Sequence, residues 1–172
     1  MNRTIRNAAP DPLALPRGSL PRMHLRSEVI DRATYERDVP MKHGLNVLRS
    51  HPTPVLPSVE ECAQSCLDCL LACSACADAC LAERDASAMA DCIRLDADCA
   101  AACAATVQML VRSGSRIGRV ALRAQLTACA AACEACDEEC RKHAGHHRHC
   151  AHCAEACKAC RLACEATLKA LQ

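Results

Sequence analysis

Six cysteines fall in the nineteen residues CAQSCLDCLLACSACADAC (62–80), at Cys62, Cys66, Cys69, Cys73, Cys76 and Cys80, separated by 4, 3, 4, 3 and 4 positions. Three further groups follow: Cys92, Cys99 and Cys103; Cys129, Cys133, Cys136 and Cys140; and Cys150, Cys153, Cys157, Cys160 and Cys164. Within every group the gaps are 3, 4 or 7, which keeps the side chains on one face of a helix. Thiolates at i,i+3 and i,i+4 lie about 5–6 Å apart at Cβ, so they can converge on one ion. From Cys62 to Cys80 the series extends over about 27 Å at ~1.5 Å per residue. The pattern therefore predicts a row of metal sites along each helix.

Two simpler readings of the cysteines are weaker. One or two buried thiols act as small hydrophobes, but eighteen on one stripe exceed what filling a seam requires. Disulfide scaffolds are short, loop-rich and secreted, and neighbours along one helix face are poorly aimed for unstrained bridging. Soft thiolates select Cu(I), zinc or iron–sulfur clusters. The run CLDCLLACSAC has a superficial likeness to a ferredoxin motif, yet cluster ligands sit on loops, with Pro after the last cysteine. Here they lie in Ala-rich helix. Tetrahedral zinc needs four convergent ligands per ion. Cu(I) accepts two thiolates from one helix, and each sulfur can bridge two coppers. Roughly one Cu(I) per shared thiolate makes the core near-neutral, whereas unpaired buried thiolates could not stay ionised. Many Cu(I) ions per chain are the expected cargo. An iron–sulfur electron-transfer protein and a zinc-thiolate buffer are the alternatives; clusters would be brown, and the two thiolate fillings colourless.

The elements that must carry these cysteines follow from the rest of the chain. Its 172 residues include 34 Ala, no Phe, no Trp and only Tyr35 as an aromatic. Alanine favours helix, and the missing aromatics exclude a conventional large-residue core. All eight prolines precede residue 58 and all 18 cysteines follow it. Residues 1–57 thus read as a Pro/Arg-rich, mostly disordered extension with a short helix near 24–38, or in part as sequence upstream of a true start at Met23 or Met41. Residues 58–172 read as four helices: 58–83, opened by a Ser58/Glu61 capping box; 87–112, stopped by Gly114; 116–143, capped by Ser115 and ended by Gly145; and 147–170. Short connections make neighbours antiparallel, so the fold class is all-α, an up-down-up-down four-helix bundle with a cysteine-lined core.

The two ends of such a bundle differ. One gathers Val107, Met109, Leu110, Val111, Ile117, Val120, Leu122, Leu126, Leu168 and Leu171 into an apolar plug. The other holds the turn HAGHHRHCAHC (143–153), which concentrates His143, His146, His147, His149 and His152 beside Cys140, Cys150 and Cys153. Neutral imidazoles there would catch Cu(I) and pass it to the first thiolates, with the Met89 thioether as a further soft ligand. Asp91 and Glu139 read as helix-end solvation. A net charge of +1 gives no basic surface for nucleic acid, and no run of about 18 uninterrupted apolar residues suggests a membrane span. No secretory leader or twin-arginine pair is visible (Arg3 and Arg6 are not one), so the expected location is the cytoplasm. No nucleophile–base arrangement or phosphate loop points to an enzyme.

CxxxCxxCxxxCxxCxxxC at 62–80, CAAACEACDEEC at 129–140 and the histidine-rich turn before CAHCAEACKACRLAC at 150–164 together resemble the bacterial cytosolic copper storage proteins. The resemblance covers about two-thirds of the chain. It implies a four-helix bundle filled with Cys-bound Cu(I), entry at the histidine-rich end, and a homotetramer. A protein that stores copper in this way would release it to copper-accepting proteins, the expected partners beside the ions themselves. The first 57 residues depart from that family pattern.

Overall fold

In the computed structural model of the chain, residues 42–112 and 118–172 are described. They belong to one compact unit, Pro40–Gln172. The helix expected near 24–38, the alternative starts and the roles of Gly114, Ser115 and Ile117 lie outside the described residues. Among the described residues five α-helices run in order: α1 (Lys42–Arg49), α2 (Pro57–Ala82), α3 (Ala90–Leu110), α4 (Arg119–His143) and α5 (Arg148–Ala170). A 3-10 turn, Ala86–Met89, precedes α3. No strand occurs among the described residues.

Helices α2 to α5 form the four-helix bundle. Each packs against two others, α2 on α3 and α5, and α4 on α3 and α5, as up-down-up-down connectivity requires. The cysteines occupy the inward stripe of all four: every one is at most 1% exposed. Small residues flank them, with Ala63, Ala100 and Ala154 buried in the same core, so the helices approach closely without aromatic filler. By length and apolar composition alone α2 could cross a membrane, because cysteine and alanine count as apolar; its apolar stripe is the bundle interior.

The start of α2 departs from the expected capping box. Pro57 opens the helix, Leu56 is the N-cap residue, and no side chain caps it. Proline's fixed φ suits the first helical position, which carries Ser58 one residue inside the helix. There the Ser58 hydroxyl is buried without a hydrogen-bond partner. The Ser58 carbonyl instead accepts from Thr167 Oγ1 of α5 at 2.9 Å, tying the two helices together.

The plug forms with changed membership. Leu110, Leu122, Leu126 and Leu171 are buried, joined by Val59 of α2, with Val107, Met109 and Leu168 partly buried against them. Val111 and Val120 are exposed, the latter by 81%, because they fall on the outer arc where α3 ends and α4 begins. Buried Thr106 and Thr167 close the layer between leucines and thiols; Thr106 donates to the Ala102 carbonyl of its own helix, and the single Thr167 hydroxyl proton is shared between the Ser58 carbonyl and the Ala163 carbonyl of its own helix, each at 2.9 Å. Gln125 bonds Thr106 Oγ1 at 3.1 Å. The Arg123 guanidinium donates to the Leu168 carbonyl at 3.2 Å.

Helix α1 lies inside the segment read from sequence as an extension. Leu48 is buried, and Arg49 Nε donates to Glu60 Oε1 at 2.9 Å, holding α1 at the plug end of α2.

Candidate metal centre

The four helices bring all 18 thiols into one continuous column, every cysteine free. The spacing repeats along its length. Cys62 and Cys164 face each other at 3.7 Å beside the plug. Cys160 lies 3.5 Å from Cys66 and 3.8 Å from Cys103. Mid-column, Cys99–Cys133 is 3.6 Å and Cys73–Cys157 3.5 Å. Near the far end Cys92–Cys140 is 3.5 Å and Cys80–Cys150 3.9 Å. An ion held tetrahedrally at a ~2.3 Å metal–sulfur bond needs sulfurs about 3.8 Å apart. The thiols are already at ligand spacing.

The sulfurs group into quartets whose members lie within 4.8 Å of one another, and the quartets overlap. Cys66, Cys103, Cys129 and Cys160 form one, with one thiol from each helix. Cys103 and Cys160 recur in the next, with Cys69 and Cys133. Cys69 recurs with Cys73, Cys99 and Cys157, and Cys73 and Cys157 recur with Cys136 and Cys153. At the far end stand Cys76, Cys80, Cys92 and Cys150. Overlap is the informative feature: one sulfur sits in two adjacent sets, as bridging thiolates must. Filled by zinc, each four-thiolate set would carry two excess negative charges into a dry interior, a heavy desolvation cost. Filled by monovalent copper with shared sulfurs, the column stays near neutral. No quartet is carried on a loop, as cluster ligands are.

One participant escaped the sequence reading. Asp96 of α3 is fully buried at the seam position between Cys92 and Cys99, where the 3–4 rhythm lapses into a gap of 7. Its Oδ1 accepts from Cys136 at 3.0 Å, Cys153 at 3.2 Å and Cys140 at 3.6 Å, and Oδ2 from Cys92 at 3.8 Å. Burial pushes its carboxyl up to about 8. A carboxyl group is thus hydrogen-bonded within the thiol column. Burial likewise raises the Cys80 thiol and takes Cys150 up to about 11. At neutral pH these groups keep their protons until a cation displaces them.

The histidine-rich turn closes the end opposite the plug, and its five imidazoles occupy different places. His149 Nε2 lies 3.6 Å from Cys80 Sγ. The His147 ring is 5.3 Å from that of His149, and its Nδ1 is 2.9 Å from Glu83 Oε1. Half-buried His143 faces Glu139 at 3.4 Å. His146 is exposed. His152 is exposed too, 3.8 Å from Glu155, so it stands away from the thiols. Met89, at 3% exposure, belongs to the same buried cluster as the cysteines. Asp91 is solvated and pairs with Arg94, while Glu139 also holds Lys142. Glu83 was the second residue missed; nothing in the sequence links positions 64 apart.

A model of the copper storage protein family matches residues 57–169. Among solved structures the chain is similar to the copper storage protein Ccsp from Streptomyces lividans loaded with 10 copper equivalents, at 43% identity and a TM-score of 0.69, over 73% of this chain and 97% of that one. A cytosolic copper storage protein from Streptomyces lividans with five coppers matches at 44% identity and a TM-score of 0.62, over 72% and 97% of the two chains. The Cu(I)-bound copper storage protein BsCsp3 matches at 38% identity and a TM-score of 0.56, over 63% and 96%. A comparison with curated proteins finds no match.

Proposed function

This chain belongs to the copper storage protein family, and we propose that it stores many Cu(I) ions on the thiolate column of its own bundle. The overlap of the cysteine quartets carries this reading. Each arriving Cu(I) displaces thiol protons and is held by sulfurs that also serve the next ion, so uptake proceeds without building charge in the interior. All 18 cysteines are the assigned ligands. Asp96, within hydrogen-bonding reach of four of them, adds an oxygen donor in the half nearer the histidines.

Entry is assigned to the histidine end. The plug presents mainly packed leucines and valine, with the Met109 thioether partly buried against them. The other end presents imidazole nitrogens leading to Cys80, with His149 nearest and His147 next, and Met89 is buried in the same cluster as the cysteines. Storage rather than catalysis is the role this architecture serves. By likeness to the Streptomyces lividans protein the location is cytosolic; the assembly is assigned as a homotetramer, and copper-accepting proteins are the partners for release.

The test is anaerobic titration of the fully reduced full-length chain with Cu(I), with metal analysis at saturation. The expected capacity is close to the 18 cysteines. Saturation at about four or five ions would instead indicate isolated four-sulfur sites of the kind zinc prefers.

A further inference from the structure

Glu83 and His147 are both helix-end residues with extended backbone: Glu83 is the C-cap of α2 (φ −69°, ψ 151°) and His147 the N-cap of α5 (φ −124°, ψ 107°). Their side chains meet across the histidine end, Nδ1 to Oε1 at 2.9 Å. The Glu83 backbone N–H also bonds the carbonyl of Cys80, the residue whose thiol lies beside His149. One residue therefore touches both the outer imidazole and the strand of backbone that carries the first thiol.

The chemistry of that contact is one-sided. An ionised carboxylate only accepts hydrogen bonds, so a neutral His147 facing it must carry its proton on Nδ1. Its lone pair is then on Nε2, and an imidazole ligates a metal only through a lone pair. A carboxylate behind a ligating histidine fixes the ring's tautomer and orientation and makes the free nitrogen more basic. Without it, the ring is free to rotate and to place the proton on Nε2, which blocks that nitrogen.

We propose that Glu83 is a positioning residue for copper capture: it holds His147 as the Nδ1–H tautomer, so that Nε2 is the nitrogen offered to incoming Cu(I) ahead of His149 and Cys80. This rests on the histidine end being the entrance. Glu83 itself touches no copper. Its effect passes entirely through His147, and it does not alter how much the thiolate column holds.

The experiment uses the full-length, reduced, copper-free chain and its Glu83→Ala, Glu83→Gln, His147→Ala and Glu83→Ala/His147→Ala variants. Two quantities are read: Cu(I) uptake rate from a weak-chelator complex by stopped flow, and the His147 tautomer by long-range 1H–15N NMR, assigned by its loss in His147→Ala. Glu83→Ala should slow uptake about tenfold, the lower end of the usual effect of removing such a partner, and move His147 towards the Nε2–H pattern. Glu83→Gln should retain most of the rate and the Nδ1–H pattern, because its amide oxygen still accepts. The double variant should be no slower than His147→Ala, and all should fill to the same capacity. If Glu83→Ala takes up copper at the wild-type rate while His147→Ala is slow, the entrance stands and the role of Glu83 falls. An unchanged tautomer in Glu83→Ala, or additive slowing in the double variant, also overturns it. If His147→Ala itself is as fast as wild type, the entrance assignment falls as well.

Discussion

Replacing Asp96 by Asn should flatten the pH dependence of the copper-free protein's stability. Asp96 has no exposed surface, and every hydrogen-bond neighbour of its carboxyl is a thiol. Its folded-state value is about 8, against ~3.9 in an unfolded chain. The sign follows from proton counting. Below pH ~4 the carboxyl is protonated in both states, and its contribution is fully present. Between pH 4 and 8 the unfolded chain releases a proton that the folded chain retains, so stability falls as pH rises, by about 1.4 kcal/mol per unit. From pH 5 to 7.5 that amounts to about 3 kcal/mol. At a few degrees per kcal/mol for a domain of this size, the midpoint should drop by roughly 10 °C.

Urea unfolding of the reduced, chelator-treated protein under argon, at half-unit steps across that window, measures the slope. The upper limit is chosen because unfolded thiols begin to ionise near pH 8.5 and add a slope of their own. Histidines and surface carboxylates contribute equally to wild type and Asp96→Asn, so the difference between the two slopes isolates Asp96. Parallel slopes would refute the reasoning, since they would mean that the carboxyl is already ionised in the copper-free core.

Three other outcomes are expected. The reduced, copper-free chain should give a helical far-UV circular dichroism spectrum, because neutral thiols and the leucine plug fill the interior; a coil spectrum that turns helical only with copper would contradict this. Replacing His143, His146, His147 and His149 together by Ala should slow both copper uptake and removal by a chelator while leaving capacity almost unchanged, and wild-type kinetics would sink the entrance assignment. Leu126→Ala, at a fully buried plug position, should cost about 2–5 kcal/mol of stability without lowering copper capacity; a matching loss of bound copper would show that plug and store are not separate.

What the sequence revealed, and what it hid, divides along a physical line. Periodicity is a property of one helix, and the cysteine rhythm on α2, α3, α4 and α5 therefore carried the inward stripe, the bundle and the thiol column into plain view. Helix ends obey competing local rules. At α2 the Ser58/Glu61 pattern lost to Pro57, whose fixed φ claims the first helical position, leaving Ser58 to be tied to α5 by its carbonyl. Val111 and Val120 looked like plug residues by composition, but their facing depends on where α3 stops and α4 starts, which periodicity does not locate to within a residue.

Asp96 is the instructive miss. The gap of 7 between Cys92 and Cys99 already marked a seam position occupied by something else, and an aspartate on a stripe that is otherwise sulfur cannot be solvated there. A buried carboxyl must be either neutral or partnered, and its partners could only be thiols of the same stripe and of the facing helices. Spacing alone carries the inference, because a lapse in the rhythm marks a seam position as surely as the rhythm does. Glu83 is the opposite case. It lies just past the last cysteine of α2 with no periodic relation to His147, and only the folded chain closes the distance between two helix ends. Seam positions are therefore readable from a cysteine pattern whether or not they hold cysteine, whereas the groups that aim an entrance are set by where helices terminate in space.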